Sequence, residues 1–125
     1  MPIRAIRGAI TVDADTRDEI ATRTTTLLET LYERNQLDHD DVISILFTAT
    51  QDLASAPPAA AARSFGLVDV PLLCAQEMPV VGSLSLCIRL MLHIETDRPR
   101  GELRHVFLRG ATVLRPELAE PGDEQ

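Results

Sequence analysis

Residues 84–94 constrain the fold more than any other part of the chain. Their even positions are all apolar (Leu84, Leu86, Ile88, Leu90, Leu92, Ile94), while the odd positions read Ser85, Cys87, Arg89, Met91 and His93. Side chains alternate across a β-strand, so strict alternation sends one face into a core and frees the other for polar groups. A helix through Leu84, Ile88, Met91 and Leu92 would leave Leu86, Leu90 and Ile94 on or near the wrong side. The strand is therefore preferred, and it holds Arg89 mid-strand on the face opposite the core. A long cation on rigid backbone can be aimed, and its natural target is an anion. With Cys74 and Glu77 shortly upstream, residues 73–95 read as the floor of a small-molecule site.

Residues 3–12, IRAIRGAITV, show the same period. Ile6, Gly8, Ile10 and Val12 share one face, and Ile3, Ala5, Arg7, Ala9 and Thr11 the other. This predicts a second strand with small residues around one Arg. Arg7 then has open space above it; the plainer alternative is an edge charge that discourages aggregation. Thr16 with Glu19 has the spacing of a capping box, and Asp18 and Glu19 suit the positive end of a helix dipole. Ile20, Thr24, Leu27, Leu28 and Leu31 recur at helical spacing, giving an amphipathic helix with a left-handed end near Asn35.

Residues 42–50, VISILFTAT, are apolar and β-branched enough to predict a strand buried on both faces. The loop QDLASAPP follows, then a short helix over residues 59–64 that carries Arg63 and ends at Gly66. A turn at residues 79–82 leads into the long strand. LRHVFL, residues 103–108, adds a strand with His105 and Phe107 on one face, and residues 111–114 a brief apolar piece. The result is a mixed α/β (α+β) domain over residues 1–115, with about five strands and one long helix covering one sheet face. Residues 116–125 read as an acidic, mobile tail. The uncovered sheet face invites self-association.

Charge narrows the partners. The chain carries a net charge of −7, which argues against nucleic acid and anionic membrane surfaces. All 12 basic residues are Arg, a side chain that keeps its charge when partly buried and grips carboxylates bidentately. Two Cys, with neither a signal peptide nor a membrane-length apolar run, point to the cytoplasm and to free thiols. No Gly-rich phosphate loop occurs, and His39, His93 and His105 lack metal-ligand spacing with the cysteines. Cys74 with His93 or His105 is a conceivable nucleophilic pair, against the plainer reading of a thiol and satisfied histidines. Arg7, Arg63 and Arg89 around Glu77 describe a pocket for a small dianion that also bears a hydroxyl.

IRGAITV, TATQDL, CAQEM followed by CIRLMLHIETD, and LRHVFLRGATVLRPEL together resemble the monofunctional bacterial chorismate mutases of the trimeric α/β-barrel class, colinearly over about residues 3–118. The resemblance implies a homotrimeric pseudo-barrel with a site at each subunit interface, converting chorismate to prephenate in aromatic amino acid biosynthesis, without metal or cofactor. It implies that Arg89 sits beside the breaking ether oxygen and that Arg7 binds a substrate carboxylate. By the same resemblance Glu77 and Cys74 would lie near the ring hydroxyl, and Arg63 would come from the neighbouring subunit. Leu114 and Arg115 match the start of a segment that, in that family, closes over the pocket. Two departures stand out: Phe107 replaces a frequent Tyr, and Pro57 an apolar aromatic. A non-catalytic trimeric carboxylate sensor and a deaminase-like trimer remain alternatives, with Cys74 and Glu77 favouring the mutase.

Overall fold

The computed structural model describes residues 2–125. Five strands form one sheet: β1 (Ile3–Thr11), β2 (Val42–Ala49), β3 (Leu72–Gln76), β4 (Cys87–Glu95) and β5 (Val106–Leu108). Two helices, α1 (Arg17–Asn35) and α2 (Pro58–Ser64), lie between them in sequence. The strand order is β3-β2-β4-β1-β5, with β4 antiparallel to both neighbours and the outer pairs parallel. The most regular strand of the sequence is therefore the middle of the sheet.

Parity decides what each face carries. Ile88, Leu90, Leu92 and Ile94 of β4 and Ile6 and Ile10 of β1 are buried together with Leu27, Leu28 and Leu31 of α1. Each such side chain contributes about 1.5–3 kcal/mol on leaving water. Gly8 lies within this layer: a Cβ there would stand 3.1 Å from Leu31 Cδ1 and 3.3 Å from Leu27 Cδ1. The helix sits this close because β1 has no side chain at that point. Gly8→Val should destabilise the fold by about 1–3 kcal/mol through overpacking, read as a lowered midpoint in urea unfolding.

Local signals explain where the elements stop, and several differ from expectation. Thr16 does cap α1, its hydroxyl accepting from the Glu19 N–H at 3.1 Å. Glu19, however, accepts from the Asp13 N–H rather than closing the box on Thr16. Gln36, not Asn35, takes the left-handed conformation (φ 53°). Asn35 is instead buried: its amide donates to the carbonyls of Leu31 and Arg104 and accepts from the Arg104 N–H. The long strand begins at Cys87 because Leu86 sits at φ 48°, its N–H held by the Asp52 carboxylate at 3.0 Å. The last strand keeps only Val106–Leu108, and residues 109–114 form a 3-10 turn.

The expectation that β2 is buried on both faces fails in the single chain. Val42, Ile45 and Phe47 enter the core, but Leu46 is 38% exposed. Among the described residues no second layer covers most of that face, and Ile3 and Leu73 are exposed on it as well. At one end it is closed by a small cluster of Ala9, Cys87, Phe107 and Ala111, backed by Leu84, Leu114 and Leu118. The tail lies against the domain: Asp123 is buried and pairs with Arg34 of α1 at 2.6 Å. Burial works to raise the Asp123 carboxyl, but the Arg34 guanidinium and the Glu120 N–H outweigh it and hold its pKa below the usual range. Among the described residues no helix is long and apolar enough to cross a membrane.

Candidate active site

Arg89 stands at the centre of the open face. Its cross-strand neighbours are Thr48 on β2 and Ala9 on β1, and Phe107 of β5 lies beyond Ala9 in register. Alanine leaves space beside the guanidinium, while the flanking strands fix the backbone. Glu77 comes from just past β3, where its N–H donates to the Ala49 carbonyl at 2.8 Å. Its Oε2 accepts from the Thr48 hydroxyl at 2.5 Å and lies 3.8 Å from Arg89 Nε. Both charged side chains are about a quarter exposed (27% and 25%). Arg89 Nε is buried and makes no hydrogen bond among the described residues. Cation and anion are thus held close without closing on each other.

Arg7 reaches the same face two residues before Ala9. Its guanidinium carbon lies 5.8 Å from the centre of the Phe107 ring, within cation–π range. Its N–H donates to His105 Nδ1 at 2.9 Å, so that nitrogen must be unprotonated. Desolvation, helped by Arg7 and Arg115, lowers the His105 pKa from its ordinary 6.5. A depressed base favours the fold while neutral, so this contribution is full above about pH 6.5 and is lost as pH falls through the lower folded value. His105→Asn, which keeps an acceptor but no titrating ring, should show a smaller drop in Tm than the parent between about pH 8 and about pH 5.

The cysteines divide. Cys87 lies on the Arg89 face, buried in the cluster with Ala9 and Phe107, and desolvation, opposed by the nearby Arg89, pushes its thiol up to about 11, which keeps it protonated. Cys74 is exposed on β3, the sheet's edge. Its register partner is Phe47, a core residue, so Cys74 belongs to the face opposite Arg89. It opens onto a cavity of about 390 Å³ shared with Pro57 and Pro58. Neither candidate histidine bonds to it: His93 Nδ1 lies 3.4 Å from the Ser44 hydroxyl, and His105 serves Arg7. Arg63 is exposed on α2. One chain therefore brings together Arg7, Glu77, Arg89 and Phe107 but leaves Cys74 and Arg63 apart from them.

The segment after β5 completes the group. Leu114 packs on the Phe107 cluster, and Arg115 pairs with Glu117 at 2.5 Å. Arg109, with no role in the sequence reading, fastens this segment. At φ 56° it turns the chain, its side chain pairs with Asp13 at 2.6 Å and donates to the Gln125 carbonyl, and its N–H donates to the Asp123 carbonyl. Gly110 then passes close to Thr11, where an added Cβ would stand 3.0 Å from the threonine side chain. Thr48 was also missed, because a β-branched residue in an apolar run reads as core. Its parity with Arg89 across β4 was the signal available.

A guanidinium with a dry, unpartnered Nε, a second arginine over an aromatic ring and a restrained carboxylate are groups suited to an enzyme acting on a small carboxylate. The Chorismate mutase type I family model matches residues 3–118, and the chain belongs to that family of isomerases. It is 47% identical over 120 residues to the chorismate mutase AroH of Bacillus subtilis, covering 95% of this chain and 94% of that one. It is also 47% identical over 117 residues to the AroH chorismate mutase of Thermus thermophilus, covering 93% and 96%. A solved chorismate mutase from Clostridium thermocellum superposes with a TM-score of 0.86 at 49% identity, over 88% of this chain and 98% of that one. The sheet described above is that of a chorismate mutase.

Proposed function

We infer that this chorismate mutase acts as a cytoplasmic homotrimer whose sites join the Arg7, Glu77, Arg89 and Phe107 face of one subunit to Cys74 and Arg63 of the next. The observation that carries this reading is the split of these residues between two surfaces of one chain. The exposed Ile3, Leu46 and Leu73 beside the Arg89 face supply apolar area for a second copy to bury.

Chorismate rearranges to prephenate in one intramolecular step: the ether C–O bond breaks while a C–C bond forms. No nucleophile or general base takes part, so catalysis consists of selecting the compact conformer and stabilising charge as it develops. Arg89 faces the ether oxygen, Arg7 binds a carboxylate, and Glu77 with Cys74 holds the ring hydroxyl. Leu114 and Arg115 close the mouth. Phe107 gives up the hydrogen bond that a tyrosine would make, at about 1.5–3 kcal/mol for a charged acceptor, and substrate binding weakens accordingly.

The test is the loss of chorismate absorbance with purified protein, prephenate being identified as product, beside a light-scattering mass. Turnover by a species of about three times 13.7 kDa is expected. Full activity from a monomer would overturn the interfacial site, and a folded trimer without turnover would overturn the activity.

A further inference from the structure

We propose that Thr48 is a positioning residue that holds Glu77 away from Arg89, so that the guanidinium stays available to substrate. The proposal rests on the roles given to Arg89 and Glu77 above. A free carboxylate beside a free guanidinium closes to about 2.7–2.9 Å, usually with two parallel hydrogen bonds. Here the approach stops at 3.8 Å, and Arg89 Nε is left buried and unpartnered among the described residues. An unmade bond to a buried donor is unfavourable unless something else restrains the acceptor. The restraint is visible: the Thr48 hydroxyl donates to the very oxygen, Glu77 Oε2, that lies nearest Arg89.

The backbone makes the restraint effective. The Glu77 N–H is tied to the Ala49 carbonyl, so the main chain cannot carry the carboxylate away and only its side-chain torsions are open. Thr48 is the direct cross-strand partner of Arg89 on an inner strand, which fixes the hydroxyl relative to the guanidinium. As a β-branched residue in a strand its own χ1 is stiff. Without that hydroxyl, Glu77 is free to swing onto Arg89 and occupy its donors, and substrate must then displace an internal carboxylate before reaction. The enzyme would remain folded but quenched.

Thr48→Val keeps shape and strand propensity while removing the donor, and Thr48→Ser keeps the donor. We expect Thr48→Val to lower kcat/KM by on the order of 10-fold to 10²-fold, the scale of a catalytic group displaced by about 1 Å. Thr48→Ser should recover most of this loss. In a Glu77→Gln background, Thr48→Val should add little, since a neutral amide has no drive to close on Arg89. A crystal structure of Thr48→Val should show the closest Glu77–Arg89 contact shortened to about 2.8 Å. Unchanged activity in Thr48→Val, an equal loss in both backgrounds, or an unmoved Glu77 would each overturn the proposal. The site reading fails separately: it falls if Arg89→Ala remains active, whereas an inactive Arg89→Ala beside a fully active Thr48→Val condemns only the role of Thr48.

Discussion

Replacing Arg89 by alanine is expected to lower kcat by on the order of 10³-fold or more, with the fold and the assembly intact. Loss of one preorganised donor at a site of developing charge costs about 10²–10³-fold, and a guanidinium brings several donors. Arg89 is suited to that role because β2 and β1 flank it on the sheet's middle strand and its Nε is shielded from water. Attraction to a negative charge growing beside it would therefore act through less solvent than at a surface. Glu77, kept at 3.8 Å, leaves that attraction largely unspent on an internal partner. Arg89→Lys should recover little, since an ammonium lacks the planar fork. Steady-state kinetics beside a thermal melt would test this; a lysine variant nearly as active as the parent would refute the role given to Arg89.

How much of this was legible beforehand follows from which forces act locally. The period of residues 84–94 placed Ile88, Leu90, Leu92 and Ile94 in the core and Arg89 opposite them, because strand parity is a property of the backbone alone. The same logic in β1 put Arg7 and Ala9 on the Arg89 face. It broke at Leu86, where a left-handed residue held by Asp52, 34 positions earlier, starts the strand late. No local pattern reports a partner that distant.

Two further features of the chain have the same origin. Residues 42–50 read as doubly buried because they are largely apolar, whereas the single chain leaves one face open at Leu46. Cys74 and Glu77, three positions apart, looked like one functional pair. The register of β3 against β2 places Cys74 with Phe47, on the face away from Arg89, while Glu77 comes after the strand ends and turns onto the Arg89 face. Nearness in sequence suggests one cluster, whereas strand parity places the two residues on opposite faces of the sheet within one chain. Arg109, Asp123 and Thr48 escaped notice because their partners, Asp13, Arg34 and Glu77, are remote in the chain.

That separation leads to a result that a single-chain site could not produce. Arg89→Ala and Arg63→Ala should each be nearly inactive alone, yet mixed, unfolded together and reassembled they should regain activity. In the proposed cyclic trimer each site would take its Arg89 face from one subunit and its Arg63 from the next. A site is wild type whenever an Arg63→Ala chain supplies the first and an Arg89→Ala chain the second. With random assembly from equal amounts, each position is filled correctly half the time, so about one quarter of the sites should be intact, with a matching share of parental activity. The share should depend on mixing ratio and peak at equal amounts. Cys74 joins the same test: Cys74→Ala, if impaired, should be complemented by Arg89→Ala but not by Arg63→Ala, because Cys74 and Arg63 would come from one subunit. Failure of the first mixture, with trimers shown to exchange, would mean that both arginines serve a site within one chain, and the fold would then have to bring α2 onto the Arg89 face.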